Sequence, residues 1–408
     1  MQRCAGRERV SAAPVVIAWP RARFGLIVLA HCLGAMTLLS VLASAPAIRA
    51  EFDLSAVQIG LLASAYSAGM ASFSLPAGRV ADRIGVRAAL VMAAVLLAAG
   101  AAAVASARGF GPMVAGLFLA GLGYGLVNPA AGRAIVMWYP PDWRGRLSGI
   151  KQTGVSVGGA IGSGAAILTP AIGWSAVIGG VGGVALLVGL SMLALPRDGL
   201  AAGAPPPRRM TLREEIAAIA TLLRNPLLGR INGASGLMNG AQFIVWTNFS
   251  DFLRQAAAMS LPLANAWLSL LQVSSIAGRL FWGWVSDKAL AGGARATLLL
   301  LGSIAVPGLL ALMLVTPASA PLLAPLLAVV LGFTVVAAVG VQVALTLERA
   351  PPTQIGSAVG YNMLVTNMGG VLAPPAFGLV LDLSGNFPVA WALTALAVVL
   401  ALLLLRRV

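Results

Sequence analysis

Two basic residues stand in stretches that otherwise suit a dry environment. Lys151 lies in SGIKQTGVSVGGAIG (148–162), and Arg133 lies in the apolar run 112–138. A charged side chain at the centre of a membrane helix costs about 2.5–3.5 kcal/mol on insertion scales, so a retained cation calls for a counter-charge or a ligand. At 1.5 Å per residue, each lies roughly 10–12 Å to one side of its helix centre, and antiparallel neighbours would bring both to similar depth. Asp82 is a candidate partner for Arg133. On that count at least one cation lacks a protein counter-ion, and an anionic substrate would supply it. The competing readings are that Lys151 snorkels to the headgroups and that Arg133 is a structural cap on a nearby loop.

Helical periodicity puts Gly154, Gly158 and Gly162 on the face that carries Lys151. Small residues let helices approach closely, so this face is expected to look into protein and not into lipid. Gln152 lies on its flank. Further polar side chains near the middle of apolar runs are Tyr66, Tyr124, Asn128, Gln242, Trp246, Asn362 and Asn367, candidates to orient a bound ligand or to bond between helices. All the acids fall near helix ends, which argues against a carrier of organic cations. His31, the single histidine, and Asp251 are candidates for a proton relay, with a neutral packed histidine as the alternative.

The elements that must position these groups are legible in composition. The 408 residues are 59% hydrophobic and 10% charged, with mean hydropathy +0.92; soluble proteins average about 25% charged. Apolar runs cover 24–47, 57–78, 89–107, 112–138, 148–170, 174–195, 231–254, 263–285, 295–315, 321–347, 357–380 and 388–405. Each can cross a hydrocarbon layer of about 30 Å as a helix, and the alternation of a membrane barrel is missing. The net charge of +15 is dealt out loop by loop, with only Arg49, Arg108 and Arg254 near the other ends. That asymmetry places both termini in the cytoplasm of a cell in whose inner membrane the chain sits, and it argues against a nucleic-acid surface.

The expected layout is a cytoplasmic tail (1–23), a six-helix bundle (24–195), a cytoplasmic linker (196–230), a second six-helix bundle (231–405) and a short cytoplasmic end (406–408). In the linker, TLREE reads as a capping box with Thr211 as N-cap and Glu214 reaching back, opening a short amphipathic helix. Cys4 and Cys32 give neither a disulfide framework nor a metal spacing, and no cofactor site is visible. The two bundles echo each other. At constant offset, Pro140, Pro141, Gly145, Gly149, Gly158 and Gly159 meet Pro351, Pro352, Gly356, Gly360, Gly369 and Gly370. At the same offset Asn362 stands at Lys151 and Ala344 at Arg133, so positive charge is expected in the first half, with uncharged donors and an aromatic in the second. The fold class is all-α integral membrane, twelve helices in two pseudo-symmetric bundles around a central path.

GRVADRIGVR, with Gly78, Asp82, Arg83, Gly85 and Arg87, has a partial copy in GWVSDK, with Gly283, Asp287 and Lys288. Its glycines permit a tight turn and close approach, and Asp82 can meet a helix N-terminus or an arginine. Such a latch would close the inner side and favour an outward-open state. This run resembles the signature of the major facilitator superfamily of transporters, and the likeness extends over the whole chain. It implies a monomeric secondary carrier working by alternating access. AGRLFWGWVSD is similar to segments of monocarboxylate and oxalate/formate-type carriers, and NPAAGR with PPDWRGRLSGIKQTGV to carriers of cyanate and other small anions. The drug-antiporter signature expects Gly-Pro where GVSVGG stands.

The expected activity is transport of a small organic or inorganic anion, by proton-coupled uptake or by exchange. Lys151 and Arg133 would supply charge, and Gln152, Asn128, Tyr124, Asn362 and Asn367 would orient the ligand. Export of drugs or metabolites is the alternative. No phosphate-binding GxxxxGK[ST] loop and no nucleophile–base pair is present, so neither direct ATP drive nor enzymatic chemistry is expected.

Overall fold

The computed structural model describes residues 20–73, 76–196, 213–214, 221–290, 292–351 and 355–408. The tail up to residue 19 with Cys4, the Thr211 end of the capping box, Pro352 and 197–212 of the linker lie outside the described residues. Twelve long helices form among those described. In the first half they are α1 (Pro20–Phe52), α2 (Ala56–Phe73), α3 (Pro76–Ala105), α4 (Phe110–Trp138), α5 (Pro141–Ala165) and α6 (Trp174–Ser191). In the second half they are α7 (Pro226–Ala256), α8 (Leu261–Trp284), α9 (Gly293–Ala311), α10 (Ala320–Leu331 and Val339–Arg349, joined by a π turn over Gly332–Val336), α11 (Ile355–Ser384) and α12 (Phe387–Arg406).

Ten of these segments are long and apolar enough to cross a membrane. The exceptions, α7 and α8, are long enough but carry too many polar residues, and those residues are turned inward. Asn232, Asn239, Gln242 and Asn248 of α7, and Asn265 and Gln272 of α8, are all buried. Large aliphatic side chains such as Leu187, Leu322 and Leu383 face outward instead. This inside-out distribution suits a lipid surround, where apolar surface carries no penalty and polar groups must find partners within the protein.

Helix directions set two ends of the bundle. Phe24 at the start of α1 meets Tyr139 beyond the end of α4 edge-to-face, with centroids 6.0 Å apart. Arg230 at the start of α7 donates to the carbonyl of Arg407 at 2.9 Å. These groups share the terminal end; the opposite end is the far end.

The paired glycines explain how two copies of one motif build the frame. A Cβ on Gly158 would strike the Cys32 backbone of α1, and one on Gly369 would strike the Gly236 backbone of α7. Gly154 and Gly162 likewise lie against α1, at Val28 and Met36. The second glycine of each pair faces the other half: Gly159 lies against Gln272 of α8, and Gly370 against Ser67 of α2. One glycine therefore packs the helix within its half, and its neighbour sets the approach between halves.

The halves are stitched along the middle and far end. Ser156 accepts from Ser275 at 2.6 Å, the Ser163 and Ser269 hydroxyls meet at 2.9 Å, and Asn265 donates to the Ala166 carbonyl at 3.1 Å. Ser64 donates to the Val371 carbonyl at 2.5 Å. At the far end, Arg49 of α1 pairs with Asp251 of α7 at 3.1 Å. The Asp382 carboxylate accepts from the backbone N–H groups of Ala56 and Val57, both at 2.9 Å, and so caps α2 from the other half.

Candidate functional site

Between the halves lies a cavity whose empty space, open solvent at its mouth included, is about 870 Å³. It runs from mid-bundle towards the terminal end. Eight of the ten residues proposed from sequence for ligand contact line it: Tyr66, Tyr124, Asn128 and Gln152 from the first half, and Gln242, Trp246, Asn362 and Asn367 from the second. The Tyr66 and Tyr124 rings stack at 6.1 Å, and Phe243 and Trp246 lie 5.3 Å apart, giving the cavity two aromatic walls.

Lys151 and Arg133 are placed differently. The glycine face of α5 packs on α1, so Lys151, on that same face, is buried behind the cavity lining. Its Nζ donates to Asn128 Oδ1 at 3.2 Å, and the same oxygen lies 3.1 Å from His31 Nε2. His31 Nδ1 lies 3.1 Å from the Ile27 carbonyl. Lys151 thus meets the cavity through Asn128. Arg133 is paired with Asp82 within the first half, tying α4 to the start of α3.

The expectation that positive charge belongs to the first half needs correction. Arg279 of α8 also lines the cavity. Its Nη2 donates to the Val336 carbonyl at 3.1 Å, while its Nε has no partner. The π turn of α10 makes this possible: it frees backbone carbonyls, and Trp282 Nε1 uses another, that of Phe333, at 2.7 Å. Gly278, next to Arg279, lets α8 come onto Phe333. Among the described residues Arg279 makes no ion pair, and the described lining contains no Asp or Glu. In sequence, Arg279 is one of the basic residues of the loop-by-loop asymmetry, near the end of the run 263–285. The signal was its glycine neighbour, which marks a close helix contact at that depth.

Two further amide side chains of the lining were missed, Asn239 and Gln342. Asn239 donates to the Thr366 carbonyl at 2.6 Å. Gln342 is buried with neither side-chain atom partnered. Asn362, the counterpart of Lys151, donates to Asn232 Oδ1 at 2.8 Å.

The gating motif lies on the first turns of α3. Gly85 adopts a positive φ of 83° and breaks the helix there, a conformation open to glycine and strained for other residues. Gly78 and Gly283 have open space around them, so close approach is not their task. Arg83 is exposed and Arg87 partly so; Asp287 and Lys288 are exposed on a π turn after α8. Asp82 meets an arginine, Arg133, within the first half; at the far end Asp251 pairs with Arg49 across the halves.

Twelve helices in two halves around a central cavity are the arrangement of a membrane carrier. The model of the Major Facilitator Superfamily matches residues 25–374, and the chain belongs to that family of transporters. It is 28% identical over 346 residues to an uncharacterized MFS-type transporter of Mycobacterium tuberculosis, covering 82% of this chain and 73% of that protein. It is 25% identical over 384 residues to the hexuronate transporter of Bacillus subtilis, covering 90% and 89%. Among solved structures it resembles a bacterial homologue of the human lysosomal transporter Spinster in an inward-facing and unoccupied conformation, with TM-score 0.77, 17% identity and coverage of 94% and 96%.

Proposed function

We propose that this transporter carries a small organic anion, entering and leaving the central cavity by alternating access. The observation that carries this reading is Arg279: a guanidinium facing a cavity whose described lining offers no carboxylate. An anion would complete the charge balance there, and guanidinium matches carboxylate geometry well. The hexuronate transporter among the relatives is consistent with an anionic cargo. With both termini cytoplasmic in the inner membrane, the far-end contacts close the outer face, and the cavity belongs to an inward-facing state of a monomer.

Proton-coupled uptake is supported by the His31 cluster. Both ring nitrogens face oxygens, and Lys151 shares one of them. A neutral imidazole can donate from only one nitrogen. A proton taken up at His31 would let both nitrogens donate and would set a second positive charge beside Lys151 at Asn128, whose side chain lines the cavity. Proton and cargo would meet at Asn128.

The test is uptake of labelled carboxylates into proteoliposomes under an imposed pH gradient. Wild type should accumulate an anion, Arg279→Gln should not, and His31→Gln should exchange cargo without responding to the gradient. Normal anion uptake by Arg279→Gln would sink the reading. Drug resistance on overexpression, with no anion uptake, would establish an exporter instead.

A further inference from the structure

We infer that the carried anion bears hydroxyl groups besides its charged group, so that the site selects hydroxylated carboxylates over plain ones. This rests on the anionic reading above and specifies the substrate class within it. The argument concerns which polar atoms of the cavity wall already have partners. Asn239 and Asn362 each give one amide N–H, to the Thr366 carbonyl and to Asn232 Oδ1. Trp246 Nε1 donates to Gln272 at 3.1 Å, and the Tyr66 hydroxyl donates to the Gly34 carbonyl at 2.9 Å.

Among the fully buried polar atoms of the described lining, those without a partner belong to three residues. Gln342, 1% exposed, has both Oε1 and Nε2 without partners; Gln242, 3% exposed, has an unpartnered Oε1; and Arg279 has an unpartnered Nε. Buried amide groups normally find hydrogen-bond partners, and an amide oxygen can only accept. A plain carboxylate ion satisfies Arg279 but has no O–H or N–H to offer Gln242 or Gln342. A hydroxyl both donates and accepts, which suits Gln342 at its two ends.

An ammonium group would also donate, but it would want a carboxylate, and the described lining has none. The aromatic pair Phe243 and Trp246 supplies a surface for the carbon skeleton between the polar groups. A site built to hydrogen-bond a hydroxyl discriminates strongly against the analogue that lacks it, because its own polar groups then stay unpaired.

Matched probes test this by calorimetry on purified protein: gluconate against hexanoate, glycerate against propionate, and uncharged sorbitol. The hydroxylated member of each pair should bind about tenfold or more tightly than its partner. Gln342→Met and Gln242→Met should each weaken gluconate several-fold and leave hexanoate unchanged. If either variant fails to fold, the other and the wild-type pairs still decide. Equal or tighter binding of hexanoate and propionate overturns the hydroxyl inference and leaves the anionic reading standing. Sorbitol binding more tightly than gluconate overturns the anionic reading, and binding of none of the probes overturns both.

Discussion

Helices α5 and α11 carry copies of one motif and use it for different chemistry. Both pack their first paired glycine on the leading helix of their own half, Gly158 on α1 and Gly369 on α7, and turn the second towards the opposite half. Where α5 has Lys151, however, α11 has Asn362. Lys151 is held with His31 around a single amide oxygen of Asn128; Asn362 makes a neutral amide–amide bond with Asn232. The cation that faces the cavity in the second half comes from α8, through Arg279. The repeat therefore conserves backbone approach, which is fixed by sterics, while charge is placed independently in each half. A carrier gains from this division: the frame moves as two similar bodies, and the ligand meets an asymmetric set of groups.

The comparison can be broken first at its shared element. Leucine at Gly158 or Gly369 would drive a side chain into neighbouring backbone, costing at least about 3 kcal/mol at the upper end of overpacking effects. Little folded protein should elute as a monodisperse peak in size-exclusion chromatography. Alanine at Gly159 or Gly370 faces side chains that can shift, and should spare folding while loosening the contact between halves. Equal yields for Gly158→Leu and wild type would end the account of a common frame.

Charge comes next in size. Arg279→Gln should weaken anion binding about 100-fold, near 2.7 kcal/mol, and Lys151→Gln about tenfold, near 1.4 kcal/mol, because Lys151 acts through Asn128. Titration of the purified variants gives both numbers, and the reverse order would make Lys151 the main anion contact. The smallest effect belongs to the far end. The Arg49–Asp251 pair is partly solvated, with side-chain exposures of 29% and 14%, so breaking it is worth about 1 kcal/mol or less. Asp251→Asn should raise labelling of a cysteine introduced at the far end a few-fold, and unchanged labelling would remove the pair from the closure.

Much of the frame was legible because its causes are local. Apolar runs, glycine spacing and the basic loops report helix number, helix contacts and charge asymmetry through one residue's neighbours along the chain. The eight lining residues chosen from sequence were recognisable as polar groups near the middle of apolar runs. Helices α7 and α8, read as spans from the runs 231–254 and 263–285, are the least apolar of the twelve because their polar faces turn inward. Arg279 was hidden because its position near a helix end is compatible with reaching lipid headgroups.

By itself, then, the sequence determined an all-helical membrane carrier of two related halves, with glycine pairs for its frame and polar groups for its path. Periodicity fixes the face and depth of a side chain on its own helix. It does not say which helix lies opposite that face. Only the tertiary structure decided that Lys151 is buried behind Asn128, that Asp82 takes up Arg133, and that the π turn of α10 leaves a carbonyl for Arg279. It also decided which amides reach the cavity already partnered and which, at Gln242 and Gln342, do not. Hydrogen bonds and ion pairs act over a few ångströms between groups far apart in the chain, so their partners exist only once the helices have packed.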